Sequence, residues 1–341
     1  MNMNKKVSVI IVNYNGKKYL PVCLRSIQAS TYKNLEVIVV DNASVDGSVE
    51  YIRKHDPKVK IVQMTTNTGF AGGNIAGIKE ASGEYLLLLN NDTRSTKDLV
   101  AKLVEFYEKT PDCGVIQPKI RLLYHPEYLD GIGSSLTVAG FLAHHGHKML
   151  EKKVNIDEPQ EIFVPKGACM FLSKKDYVKA GGFDNKYFIY FEETDLCWRI
   201  YLMGKKNYYY PGAVVYHAVG RTSSKLPLPF VEYHSFKNRI ATLIKNLENG
   251  SLIMVLPIHL LLVTMFIFLY IVTGKFPNAY AIVKAMIWNI TNLPYLYNQR
   301  KRTRRIRMTK DNELFRKHVE KISITESLHM ARSYFFKRGK V

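Results

Sequence analysis

From Val7 to about Tyr210, short runs of β-branched residues and leucine alternate with stretches of helical spacing. VSVIIV (7–12), LEVIVVD (35–41), KIVQM (60–64) and YLLLLN (85–90) are nearly unbroken apolar runs, as expected of strands covered on both faces. Between them, KYLPVCLRSIQAS, SVEYIRKH (48–55) and GFAGGNIAGIKEA (69–81) read as helices. So does TKDLVAKLVEFYEK (96–109), behind Thr96 as a cap candidate. This alternation predicts an α/β fold: a Rossmann-like, mostly parallel sheet with flanking helices, whose ligands bind beyond the carboxyl ends of the strands. Asn13, Asp41, Asn67 and Asp92 fall at or just past those ends. Further on, EIFVPKGACMFL (161–172) predicts another strand, followed by a short helix ending at Gly181 and Gly182, and a last strand is expected near 206–210. Residues 120–160, rich in Tyr, His and Gly, read as an irregular insertion placed to help bind a ligand.

The pattern then changes. Residues 252–273 (LIMVLPIHLLLVTMFIFLYIVT) contain no Asp, Glu, Lys or Arg, and as a helix they would extend roughly 33 Å against a bilayer core of about 30 Å. A weaker stretch, 276–298, is interrupted by Lys284, Asn289, Asn292 and Pro294. The segment RKRTRRIRMTK (300–310) follows, with seven basic residues in eleven. We therefore expect a catalytic domain over 1–235 and a helical membrane-associating region with a basic tail over 236–341. A single crossing at 252–273 would strand the basic cluster outside, against the positive-inside tendency. A hydrophobic hairpin or a pair of interfacial helices near 252–298, on the cytoplasmic face of the cell membrane, avoids that conflict.

The formal charge of +20, from 49 Lys and Arg against 29 Asp and Glu, calls for an acidic partner. No recognised nucleic-acid module accompanies the charge, which leaves phosphates and anionic lipid rather than nucleic acid. Cys23, Cys113, Cys169 and Cys197 lie far apart, a spacing that suits reduced thiols and neither a zinc knuckle nor a disulfide framework.

Four places carry candidate chemistry, each with a plainer alternative. Asp41, inside VVDNASVDGS, suits a nucleobase N–H or a ribose hydroxyl, and equally a turn or helix cap; Asp46 is the better cap for the next helix. Asp92 closes LLLLNND, where a buried strand can present a hard oxygen ligand to Mg²⁺ or Mn²⁺, or simply make a strand-to-helix turn. Glu192, Glu193 and Asp195 open an apolar helix behind the aromatic run YFIYF. Helix capping explains one of them, while a carboxylate desolvated by those rings would serve as a general base. His217, before the Gly220–Ser223 loop, is a structural histidine or a metal ligand.

Seven blocks in order, VSVIIVNYNG, VVDNASVDGS, NTGFAGGNIAGI, LLLLNND, GACMFLSKKDYVKAGGFD, YFEETDLCWR and HAVGRTS, resemble family-2 glycosyltransferases of the GT-A-type fold, especially bacterial rhamnosyltransferase-like members. The resemblance covers roughly residues 6–250. It implies an inverting transfer from a nucleoside-diphosphate sugar, with dTDP-rhamnose as the leading donor, to a lipid-linked or glycan acceptor of the cell surface. It further implies that Asp41 binds the nucleobase and that Asn13, Asn67 and Asn91 lie near the nucleotide. Asp92 and His217 then serve the divalent metal, Glu193 is the catalytic base, and Asp195 is a second acid of the same motif. Two departures stand out: the metal motif is NND, with amides where many members have acids, and the base is Glu where Asp is common. A sugar nucleotidyltransferase, or a non-catalytic membrane-bound assembly partner, is the alternative.

Overall fold

The computed structural model describes residues 5–154, 156–219 and 226–320. The first half alternates as the pattern requires: β1 (Val7–Asn13), α1 (Leu20–Gln28), β2 (Leu35–Asp41), α2 (Ser48–His55), β3 (Lys60–Gln63), α3 (Gly69–Lys79) and β4 (Tyr85–Leu89). Then come β5 (Thr93–Ser95), α4 (Leu99–Lys109), β6 (Cys113–Leu122), β7 (Leu129–Gly131), β8 (Ser134–Thr137), β9 (Leu142–His144), β10 (Gln160–Ile162), β11 (Cys169–Ser173), α5 (Lys174–Lys179), α6 (Glu192–Leu202) and β12 (Lys206–His217). The rest is helical: α7 (Leu228–Asn246), α8 (Asn249–Val272), α9 (Phe276–Thr291), α10 (Leu293–Ile306) and α11 (Asp311–His318), with a closing β13 (Val319–Glu320).

Ten strands form one mixed, mostly parallel α/β sheet in the order β10-β12-β6-β11-β4-β1-β2-β3, with β5 on β12 and β7 on β6. Strands β1 to β4 run parallel, β11 is antiparallel to both β4 and β6, and β6 pairs parallel with β12. Side chains alternate across the sheet, so β1 feeds two cores: Val7, Val9 and Ile11 pack with α1 and α4, and Ile10 packs on the other face with α3 and α6. Gly77 lets α3 lie flat on β1, since a Cβ there would meet Ile10 and Val40 at 2.6 and 2.8 Å. All four cysteines are buried and free.

Three expectations are corrected. The strand read at 161–172 is two strands, because Pro165, Lys166 and Gly167 break it; β10 pairs with β12 and β11 returns to the sheet centre. The strand expected near 206–210 runs to His217, with a register jump between Tyr210 and Val214 opposite Pro118. Thr96 donates to the Val214 carbonyl instead of capping α4. Asp46 does accept from the Ser48 backbone. The boundary expected at 235/236 falls inside α7, which buries against the sheet-bearing half: Asn246 and Lys245 reach Asp195, and Asn238 reaches the loop before α6.

Candidate active site

The carboxyl ends of β1, β2 and β4 bring three of the predicted residues together. Asn13 and Asp41 are register partners. The Asn13 amide donates to Asp41 Oδ1 at 3.2 Å and to Ser44 Oγ at 3.1 Å, and the Ser44 backbone N–H donates to Asp41 Oδ2 at 3.0 Å. From the end of β4, the Asn91 amide donates to Asn13 Oδ1 at 2.8 Å. Asn13 and Asp41 are buried, so these bonds fix the Asp41 carboxylate in one orientation. Asn67 makes a local bond instead, accepting from the Gly69 N–H.

Asp92 lies one residue past Asn91 and faces the last residue of β12. His217 Nε2 stands 3.2 Å from Asp92 Oδ1, and the Ala218 N–H donates to the Asp92 carbonyl. The other ring nitrogen, Nδ1, bonds Asp130 Oδ2 at 2.8 Å. Asp130, at 0% exposure, is the residue that sequence reasoning missed. It sits on β7 within the insertion and also holds Lys166 Nζ at 2.5 Å. Burial opposes the charge on His217, but hydrogen bonds to Asp130 and Asp92 prevail and lift its pKa to about 9. Burial likewise opposes ionisation of Asp130, yet its bonds to His147 and His217 and the Lys166 charge hold it well below the usual carboxylate range. The Gly220–Ser223 part of the His217 motif lies outside the described residues.

The loop that breaks β10 from β11 ties this cluster to the acidic helix. Lys166 binds Asp130, and the next residue, Gly167, lies against Glu193, whose Cγ would be 3.7 Å from a Cβ placed there. Glu193 is half-buried at the start of α6, and its Oε2 has no hydrogen-bond partner. Burial pushes its carboxyl pKa up, against the helix N–H groups and the Lys166 charge, and burial with the Glu193 charge pushes the neighbouring Glu192 further up. The backbone that delivers it is strained: Tyr190 and Phe191 have φ of 69° and 68°, a conformation costly for residues with bulky side chains. The Asn238 amide pins that turn by donating to the Ile189 carbonyl at 3.0 Å and the Tyr190 carbonyl at 2.6 Å.

Asp195, expected as a second catalytic acid, instead belongs to the helix's buried support. Residues two apart on a helix do not share a face, so Glu193 and Asp195 cannot both look into one cleft. Asp195 Oδ2 accepts from Arg199 at 2.7 Å and Lys245 at 2.9 Å, and Oδ1 accepts from Asn246 at 3.0 Å. Beside that network lies a cavity of about 920 Å³, lined partly by Tyr177, Arg199, Lys245, Tyr295 and Arg302, with neither Asp92 nor Glu193 in its lining.

Polar groups gathered at strand ends, at the mouth of a mostly parallel sheet, define an α/β protein with its ligand site beyond the carboxyl ends of the strands. Residues 8–177 match Glycosyl transferase family 2, and the chain belongs to that family. Among curated relatives it is 23% identical over 254 residues to the N-acetylglucosaminyl-diphospho-decaprenol L-rhamnosyltransferase of Mycobacterium tuberculosis, covering 68% of this chain and 82% of that one. Among solved structures it is similar to Staphylococcus aureus TarS 1-349 in complex with UDP-GlcNAc (TM-score 0.55, 17% identity, 88% of this chain and 89% of that one). It is also similar to the mannosyltransferase PcManGT of Pyrobaculum calidifontis in complex with GDP-Man and Mn²⁺ (TM-score 0.53, 17% identity, 84% and 87%). Those two structural likenesses are of fold. Glycosyltransferase activity from a nucleotide-sugar donor follows from the family.

Proposed function

We propose that the chain is an inverting, metal-dependent hexosyltransferase acting at the cytoplasmic face of a membrane, with a rhamnose-like donor and a lipid-linked acceptor. The observation that carries the reading is the position of Glu193: a half-buried carboxyl with a partnerless oxygen, beside the loop whose Lys166 binds Asp130, which in turn holds His217 opposite Asp92. In a single displacement, Glu193 takes the acceptor hydroxyl proton as that oxygen bonds to the anomeric carbon, and the bond to the nucleoside diphosphate breaks with its electron pair leaving on phosphate oxygen. Asp41, oriented by Asn13 and Ser44, holds the nucleobase, and Asn91 locks Asn13 in turn. Asp195 is a positioning residue for α6.

Among the described residues no three His, Cys, Asp or Glu side chains form a ready cation cage. Asp92 and His217 fit a Mg²⁺ or Mn²⁺ that would displace the Nε2 proton held between them and take its remaining ligands from phosphate and water, because Asp130 engages Nδ1 and leaves Nε2 turned to the Asp92 carboxylate. Such an ion, when bound, offsets the charge developing on the diphosphate. The name of the mycobacterial relative, with its diphospho-decaprenol acceptor and rhamnosyl group, supports the donor and acceptor classes. Belonging to a transferase family leaves the nucleotidyltransferase alternative without support.

The test is Mn²⁺-dependent release of nucleoside diphosphate from candidate donors, with the product anomer read by NMR. Asp92→Ala should abolish release, and the product should carry inverted configuration. A retained configuration, or full activity in Asp92→Ala, refutes the scheme.

A further inference from the structure

The helix α8 is, among the described residues, the one long and apolar enough to cross a bilayer. We infer that it does not cross, and that it lies along the membrane surface with its outer face in lipid and its inner face on the catalytic domain. The inference rests on the membrane-surface reading above. Ser251, Val255, His259, Val263 and Tyr270 are all buried, a stripe running from the first turn of α8 to the last. Val255, His259 and Tyr270 on that stripe have partners in the folded domain. Gly140 packs beside Val255, His259 Nδ1 bonds the Ala139 carbonyl at 2.7 Å, the Phe141 ring lies tilted against the His259 ring with centroids 4.6 Å apart, and the Tyr270 hydroxyl donates to the buried Glu232 at 2.7 Å. A crossing would drag the β8–β9 turn and the charged residues of α7 into hydrocarbon, where irregular backbone and ionised groups are costly.

The opposite side of α8 is apolar and open, with Ile253, Ile258, Leu261, Met265 and Phe268 exposed, and α9 continues it with Tyr280 and Ile287. This explains why α8 has no polar face. An interfacial helix normally turns one face to water; here that face is covered by protein, so residues on both sides are apolar. The occupant we commit to is a bilayer with anionic headgroups. Lys275 at the end of α8, and Lys301, Arg302, Arg304 and Arg305 on α10, are exposed and carry the complementary charge.

Single cysteines at Gly250→Cys and Lys275→Cys bracket α8, at exposed positions where the four native thiols, all buried, add little background. In everted membrane vesicles carrying the full-length chain, a membrane-impermeant maleimide should label both without detergent, to within about twofold. Labelling of one site only after detergent overturns the in-plane placement and leaves the membrane reading standing. Recovery of the chain in the soluble fraction, as a monomer or as a dimer closed over α8, overturns both. Added phosphatidylglycerol vesicles should bind the detergent-free chain more than tenfold better than phosphatidylcholine vesicles, since each Lys or Arg at an anionic surface is worth roughly fivefold. Equal binding overturns the assignment of an anionic surface.

Discussion

Replacing Asp130 with asparagine keeps the shape of a fully buried side chain and removes the charge between His217 and Lys166, at 2.8 and 2.5 Å. A charge pair at 2.8 Å has a ceiling near 6 kcal/mol at an effective dielectric of about 20. The asparagine oxygen can still accept from Nδ1, and Lys166, about a third exposed, can turn toward solvent, so most of that ceiling is not lost. Carboxylates that orient a metal-binding histidine typically contribute 10–100-fold to metal affinity or activity, about 1.4–2.7 kcal/mol, and we expect Asp130→Asn to fall there. The assay is calorimetric titration of Mn²⁺ into protein with nucleoside diphosphate, beside a thermal melt that confirms folding. Mn²⁺ affinity within twofold of wild type, in a variant that melts normally, would refute the role given to Asp130 and with it the pairing of Asp92 and His217 around a cation.

Four further outcomes are expected. The rate should rise with pH through a midpoint above the ordinary Glu value of about 4.3, because Glu193 must be ionised to act and burial holds its proton, with the helix N–H groups and Lys166 opposing; Glu193→Gln should cost about 10²–10⁴ in kcat and remove that limb. Stability runs the opposite way: a carboxyl with a raised folded-state pKa disfavours folding progressively as pH climbs through that pKa, so in a pH series of urea melts Glu193→Gln should gain stability relative to wild type toward neutral pH. Lys245→Met leaves Asp184 and part of Asp195 buried without their cation, and should lose about 3–5 kcal/mol in a urea melt; a loss under 1 kcal/mol would discount the network. Gly69→Ala places a Cβ 2.1 Å from the Phe188 carbonyl oxygen at φ 72°, and should lose at least about 1–2 kcal/mol on chemical denaturation together with activity, since Phe188 leads into the Glu193 turn.

Much of this architecture was readable in the chain. Asn13, Asp41 and Asp92 announced themselves because unbroken apolar runs mark where strands end, and a parallel sheet collects those ends. Strand β6 was hidden by Pro118, a residue foreign to a central strand, which the fold accommodates with the register jump in β12. Asp130 was invisible for a different reason. It lies in a stretch without periodicity, and only long-range pairing with β6 brings it under His217. The split at Pro165–Gly167 could have been suspected from those residues alone, and it is what carries Lys166 to Asp130. Asp195 is the second acid of the motif that the resemblance implies, yet two residues from Glu193 on one helix it turns to a different side, toward Arg199 and Lys245.

The strained turn at Tyr190 and Phe191 is pinned from α7, and the Arg239 guanidinium, wedged between the rings of Phe141 and Phe191, joins it to the loop beneath α8. On the proposed function, the helices beyond residue 235 are therefore a splint for the Glu193 carboxylate. A chain cut short there to gain solubility should turn over poorly even with a water-soluble acceptor, and loosening the proposed membrane seat should be felt first as a change in catalytic rate, ahead of any change in donor affinity.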